Sequence, residues 1–280
     1  MGLVEMLVFN VGHGNSVYLK MLEKDVMLDC GADENGGFSP SNWLKNKWNV
    51  TKLDYLQISH PHIDHIRDIL NVDNNFHPKV FSRNRVITEQ KIKEENDEVF
   101  DTHGDLIKKY LQFDSSYNGT LAPNEIPDSS EWSGGARVVT FSNTDQDMNL
   151  NDLSLIAFIQ HGNHVVLYGG DLEEKGWNNL LSKKYFTDWL KITNILIASH
   201  HGRENGYSSE IFRYCKPQLT IVSDGRFGDT SATSRYSAIT SGMTVKKRSG
   251  GSETRKVITT RNDGTILFRT NGTEMYVEID

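Results

Sequence analysis

Histidine is scarce in this chain, ten residues in 280, yet three of them stand within six positions: His60-Pro61-His62-Ile63-Asp64-His65. From this composition an H-x-H-x-D-H pattern would arise by chance about 0.001 times, so the spacing carries a strong signal. Residues i and i+2 of an extended backbone project to one side, which lets His60 and His62 share one metal ion. Asp64 and His65, past the point where the chain turns into a helix, can address a second. Imidazole and carboxylate together suit zinc, and also manganese or iron. The competing reading is three surface or capping histidines beside an aspartate N-cap.

Two further segments carry ligand-type residues. Asp171 follows Gly169-Gly170, where small residues permit close backbone approach, and a carboxylate at such a strand end can bridge two ions. It can equally cap the helix that begins near Glu173. His200-His201-Gly202 follows an apolar run. Adjacent histidines do not easily serve one ion together, so the expected division is one ligand and one group facing the substrate.

Each of these segments must be positioned by a strand. Short apolar runs at Met6–Phe9, Val17–Leu22 and Val26–Asp29 read as strands, and so do Leu53–Ser59, Val138–Phe141, Leu153–Ile159, Val165–Tyr168, Ile195–Ser199 and Leu219–Ser223. Lys256–Thr260, Thr265–Arg269 and Met275–Ile279 complete the set. Helical spacing marks Ser41–Trp48, Asp64–Leu70, Glu173–Leu190 and Ser208–Tyr214. Residues 71–135, a charged helical stretch followed by a loop rich in Ser, Asn, Pro and Gly, are expected to be an insertion on a single domain spanning 1–280. An α+β fold of two sheets packed face to face with helices outside accommodates this order.

Composition narrows the class. Five Trp, ten Tyr and twelve Phe supply a core and exclude disorder. No apolar run approaches the ~18–20 residues of a membrane span, and no signal peptide is visible, so a cytoplasmic location is expected. Two isolated cysteines, Cys30 and Cys215, make no disulfide framework. The formal net charge of −7 disfavours broad coating of nucleic acid, which rests on many phosphate contacts. Lys246-Lys247-Arg248, Arg255-Lys256, Arg203 and Arg226 could still form a local basic rim, although charge runs of this size are more often a solvated face. His161 and His164, in an expected hairpin, are read as solvent-facing, as are His77 and His103.

The motifs resemble those of the metallo-β-lactamase-fold hydrolases, and most closely the soluble hydrolase domain of ComEC-type competence proteins. The matching pieces are Phe9-Asn10-Val11-Gly12-His13-Gly14-Asn15-Ser16, Leu28-Asp29-Cys30-Gly31, His60 to His65, Leu153-Ser154-Leu155, Gly169-Gly170-Asp171 and Ser199-His200-His201-Gly202. The resemblance implies a four-layer αββα sandwich with two divalent ions, zinc or else manganese, at one edge. It assigns His60 and His62 to the first ion, Asp64 and His65 to the second, Asp171 as the bridge, and one of His200 and His201, with His201 favoured, to complete the second. His200 would contact substrate and Asp29 would orient a ligand histidine. One departure stands out: where many members carry a histidine before the strand Leu153–Ile159, this chain reads Asn149-Leu150-Asn151-Asp152. Asn151 or Asp152 is then the candidate donor to the first ion. His13 replaces an acidic or amide residue of the first loop and either points into the site or packs in its turn.

The implied activity is a metal-dependent phosphodiesterase or nuclease, in which two ions lower the pKa of a water that attacks in line. Asp64 holds the metal side of that chemistry, and His200 neutralises or protonates the phosphoester oxygens. DNA or RNA is the expected substrate class. The rivals are a hydrolase of a small phosphodiester, lactone or amide, and a non-enzymatic binding component of a multi-protein system such as defence.

Overall fold

A computed structural model describes residues 2–95, 97–129, 132–225 and 232–280. Among the described residues, fifteen strands form two sheets. The first half supplies β1 (Val4–Val8), β2 (Ser16–Met21), β3 (Lys24–Cys30), β4 (Tyr55–Gln57) and β5 (Phe81–Ser82). The middle supplies β6 (Ala136–Phe141), β7 (Ile156–His161), β8 (His164–Tyr168), β9 (Ile195–Ile197) and β10 (Leu219–Val222). The last stretch adds β11 (Met243–Lys247), β12 (Ser252–Arg255), β13 (Val257–Thr259), β14 (Ile266–Thr270) and β15 (Met275–Ile279). One sheet has the order β12-β11-β15-β14-β1-β2-β3-β4-β5 and the other β13-β10-β9-β8-β7-β6.

Alternation along the strands builds the layers. In β1, Val4, Met6 and Val8 face the inner core, where they meet Val138, Ile159, Val166, Ile197 and Ile221 of the opposite sheet. Leu7 faces outward and packs with Leu44, Val72, Ile107, Tyr110 and Phe113 from helices Pro40–Lys47, Ile69–Phe76 and Gly104–Ser116. On the far side, Phe158, Leu167 and Leu196 pack against Trp177, Leu180, Phe186 and Trp189 of helices Glu174–Leu181 and Lys184–Lys191. Strands covered on both faces explain why Ile195–Ile197 is apolar throughout. The expected αββα sandwich is the architecture observed.

Several elements differ from expectation for visible reasons. The Glu173–Leu190 stretch is two helices, because its fully buried positions jump from Leu180 to Phe186, six residues that no continuous 3.6-residue stripe can carry. The helix after the histidine motif breaks at Asp68, whose carboxylate accepts from Ser39 Oγ (2.7 Å), the Ser41 amide (2.8 Å) and Asn71 Nδ2 (2.9 Å). β11 and β12 escaped the sequence reading because their burial alternates through Lys, Thr and Glu, without an apolar run. The segment expected as an insertion contributes edge strand β5, paired parallel to β4, and the helix that carries Ile107, Tyr110 and Phe113.

His161 is buried rather than solvent-facing, and the ring nitrogens of both His161 and its cross-strand partner His164 lie out of contact with solvent. Their side of the hairpin turns toward a small space lined by Met6, Leu19 and Phe268 between the sheets. His77 is exposed, as expected. Both cysteines are buried and free. Among the described residues no helix is long and apolar enough to cross a membrane.

The consequence for function is directional. β3, β4 and β5 run parallel within one sheet, and β8, β9, β10 and β13 run parallel within the other. Asp29 sits at the end of β3, and the segments after β4, β8 and β9 carry His60, Asp171 and His200.

Candidate metal centre

Asp64, His65, Asp171 and His201 each offer a donor atom, and these atoms all lie within 4.8 Å of one another. The motif residue Asp64 comes from the short helix Ile63–Ile66, which starts directly after His62 and carries His65 one position later. Its backbone is tied to the floor of the site: the Asn15 amide donates to the Asp64 carbonyl (3.2 Å), and the Gly31 amide donates to the Asn15 carbonyl (2.8 Å). A Cβ on Gly31 would stand 2.3 Å from the Asp64 carbonyl oxygen, so only glycine lets these three loops meet.

The histidines are oriented from behind. His65 Nδ1 donates to Asp29 Oδ2 at 2.5 Å, which turns Nε2 toward Asp171 Oδ1 (3.2 Å) and Asp64 Oδ2 (3.7 Å). His201 Nδ1 donates to the Ser223 carbonyl at 2.9 Å, which leaves Nε2 3.0 Å from Asp64 Oδ2 and 3.5 Å from Asp171 Oδ2. Asp29 accepts also from the Ser59 amide and hydroxyl, both at 2.6 Å, and from the Tyr168 hydroxyl. Anchoring one ring nitrogen so that the other presents its lone pair is how proteins prepare imidazole for a metal.

His65 Nε2, His201 Nε2 and Asp171 Oδ1 are buried and make no hydrogen bond. Two lone pairs facing two carboxylates leave a buried group of acceptors with no donor, an expensive arrangement unless a cation enters it. The residues therefore fit a divalent ion. Without one, protons take its place. Burial pushes the His201 imidazole down, but Asp171 and Asp64 outweigh it and hold the group up to about 9. His65 is raised well above the usual range against the same burial, by Asp171, Asp29 and Asp64. Burial disfavours charged Asp64 and Asp171, yet His65 and His201 hold both carboxyls well below their usual range.

A sign follows. The raised imidazoles stabilise the metal-free protein fully below the ordinary value of 6.5, and that contribution is lost as pH rises through about 9. Metal uptake must displace those protons, so its apparent affinity should climb with pH over the same window. Proton release measured by calorimetry in buffers of different ionisation enthalpy checks this. Affinity independent of pH between 6.5 and 9 would contradict the cluster as drawn.

A second group adjoins the first. His60 Nε2 and His62 Nδ1 converge to 2.8 Å, and His60 Nε2 stands 3.9 Å from Asp171 Oδ2. Ser59 Oγ, which donates its proton to Asp29, accepts from His60 Nδ1 at 3.1 Å. Burial, with His65 and His62 close by, keeps His60 well below the usual imidazole range, and burial lowers His62 too. Both are neutral donors. His200 Nε2 reaches Asp171 Oδ2 from another side at 3.9 Å. His200 and His201 both adopt left-handed backbone, φ 48° and 54°, which aims adjacent side chains at different parts of the site at about 1–3 kcal/mol each.

Asp152 does not join the site. Its Oδ1 accepts from the Glu173 (3.0 Å) and Gly176 (2.8 Å) amides and caps the helix Glu174–Leu181. Asn151 donates its amide to Glu173 Oε1 at 3.2 Å. His13 lies at the mouth, its ring centroid 4.4 Å from that of His201 and its Nε2 3.4 Å from Asp64 Oδ2. Burial and the neighbouring His201 lower it to about 4, so it is neutral and accepts from Arg203 Nη2 at 3.1 Å. Of the other basic candidates, Lys247 pairs with Glu253, Arg248 with Glu278, and Arg255 with Glu253 and Asp263, while Lys246 lies over the Tyr276 ring. Arg226 lies outside the described residues. The sequence reading gave no role to Glu173, whose only signal was its place two residues after Asp171.

Compared by sequence, the chain matches no protein-family model and no curated protein. Compared by structure, it is similar to Igni18, a metallo hydrolase from Ignicoccus hospitalis, at TM-score 0.49 and 13% identity over 94% of this chain and 98% of that one. It is also similar to YhfI, a metallo-β-lactamase fold protein from Bacillus subtilis, at TM-score 0.44 and 14% identity over 81% and 89% of the two chains. A diphosphatase of the PhnP family gives TM-score 0.39 and 14% identity over 79% and 86%.

Proposed function

We propose that the protein is a metal-dependent phosphodiesterase that cleaves nucleic acid. The observation that supports the reading most directly is the pairing of a buried acceptor cluster with a guanidinium that, among the described residues, has no carboxylate partner. Among the described residues no carboxylate lies within 4 Å of the Arg203 guanidinium, and His13 holds it beside Asp64. An anionic ester held beside Asp64 and His13 would lie within reach of that guanidinium.

Asp64, His65, Asp171 and His201 would hold one divalent ion, with His60 and His62 beginning the set for another; zinc suits the mixture and manganese is the second choice. Two such ions supply Lewis-acid polarisation of a phosphoryl oxygen and a nucleophile at neutral pH. The chain's own residues do the rest. Arg203 binds a non-bridging phosphoryl oxygen through charge-assisted hydrogen bonds. Neutral His13, already accepting from Arg203, fixes where that guanidinium points. The preference for nucleic acid rests on the resemblance to the ComEC-type domain. Two buried, free cysteines agree with the reducing cytoplasm we assign to it.

The test is a substrate panel: plasmid, single-stranded DNA, RNA, bis-p-nitrophenyl phosphate and an uncharged lactone, each with Mn²⁺ or Zn²⁺. Metal-dependent cleavage of at least one polymer is expected. Turnover of the small diester with every polymer intact would sink the nuclease reading. Arg203→Gln should raise KM for the phosphodiesters by roughly 10- to 100-fold, the worth of a hydrogen bond to a charged group. It should leave any lactone turnover unchanged.

A further inference from the structure

The chain lacks the histidine its motifs lead one to expect before β7, yet the centre holds a further buried histidine whose Nδ1 faces a carboxylate. His200 is buried, its amide donates to the Gly170 carbonyl (3.0 Å), and its Nδ1 stands 3.3 Å from Glu173 Oε1. Glu173 is itself held by three asparagine amides from two separate loops. Asn205 Nδ2 donates to Oε1 at 2.6 Å, Asn151 Nδ2 to Oε1 at 3.2 Å, and Asn149 Nδ2 to Oε2 at 3.3 Å. Two of these are the residues that stand where the missing histidine would be. Three amides on one carboxylate fix its position, and its charge, 3.3 Å from His200 Nδ1 without a hydrogen bond between them, favours the tautomer with Nδ1–H toward Glu173 and the Nε2 lone pair toward the site.

We infer that His200 is a ligand of the first ion, taking the place of the absent histidine, and that Glu173 is the positioning residue that holds it there. Resting on the metal-dependent reading above, this gives the first ion His60 Nε2, His62 Nδ1, His200 Nε2 and Asp171 Oδ2. Asp171 Oδ2 is equidistant from His60 and His200, at 3.9 Å from each. Donors of one tetrahedral zinc stand about 3.4 Å apart, so an ion would have to draw His60, His62 and His200 together around Asp171 Oδ2 to complete the set. The left-handed conformations of His200 and His201 let adjacent residues serve different ions. Only the second set is already gathered within 4.8 Å among the described residues, so the first site is the weaker of the two.

Co(II) titration followed by absorption, with bound metal counted by mass spectrometry, tests the assignment without reference to turnover. The wild-type protein should take up two ions in two steps. His200→Ala should keep the tight ion and lose the weak one. Glu173→Gln, which leaves His200 in place, should weaken only the second step, by about 10- to 100-fold, and Glu173→Asp should recover part of it. Two ions bound with wild-type affinity by both His200→Ala and Glu173→Gln would overturn the assignment and return His200 to the substrate side. If His200→Ala does not fold, an unchanged second step in Glu173→Gln overturns it alone. Wild-type protein that binds no divalent ion would overturn the metal-dependent reading itself.

Discussion

Replacing Asp171 with asparagine is expected to abolish metal uptake at both positions and to lower kcat/KM by more than about 100-fold, the loss that removing a mere outer hydrogen-bond partner of a ligand already causes. The two carboxylate oxygens face different groups: Oδ1 stands 3.2 Å from His65 Nε2, while Oδ2 faces His201 at 3.5 Å and both His60 and His200 at 3.9 Å. No other side chain of the centre addresses four histidines. Asparagine keeps the shape but removes the charge and points two N–H donors at one side of the cluster, where a metal needs lone pairs. The backbone should tolerate the exchange. The bend that delivers Asp171 is made by Gly170, at φ 52° with its Cα packed so that a Cβ would sit 3.0 Å from Ser154 Cβ, and this is untouched. Wild-type protein at a hundredfold excess of metal over Kd gains about 2.7 kcal/mol of stability. Asp171→Asn should show a native far-ultraviolet spectrum, no metal-induced rise in Tm and no hydrolysis. Retention of the rise would mean that Asp171 is not a ligand.

What the sequence disclosed and what it withheld follow from the range of the interactions involved. The run His60 to His65 is local: strand, turn and helix start determine how its side chains spread, so spacing alone was informative. Asp171 and His201 were legible as types at strand ends, because parallel strands must finish on a common rim. Glu173 was not legible. Its importance comes from Asn149, Asn151 and Asn205 converging on it, and Asn205 arrives from a loop 32 residues away. Nothing in the spacing of asparagines signals that. The Asp152 reading failed for a related reason: an aspartate next to a strand is a plausible donor until the start of the following helix claims its carboxylate as a cap. The hairpin histidines misled because His161 and His164 flank a polar turn. Alternation by two residues then places both on the inner face, and polarity of the turn says nothing about that face. Helix boundaries were lost where the spacing of fully buried residues resets, as between Leu180 and Phe186, while the strands that carry the centre were found because they are buried on both faces.

Asp29 should prove nearly as sensitive as Asp171, although no metal would touch it. It is fully buried and its two oxygens accept from four donors: the Ser59 amide and hydroxyl, His65 Nδ1 and the Tyr168 hydroxyl. It thereby ties β3 to β8 across the interface between the sheets and fixes which nitrogen of His65 looks into the centre. Its φ of 55° is left-handed, a conformation that asparagine also accepts. Asp29→Asn therefore separates charge and hydrogen bonding from backbone geometry. The amide nitrogen can accept from none of the four donors, so at least one buried donor is left unpaired at about 1–3 kcal/mol, and His65 loses the carboxylate that sets its tautomer. Metal affinity should fall about 10- to 100-fold. Tyr168→Phe removes a single donor and leaves the charge, so it should lower stability by about 1 kcal/mol with little change in metal affinity. Urea unfolding and Co(II) titration on the two variants separate the effects. Equal losses of metal affinity in both would show that Asp29 acts by packing the two sheets together, and unequal losses in the stated order would show that it acts through His65.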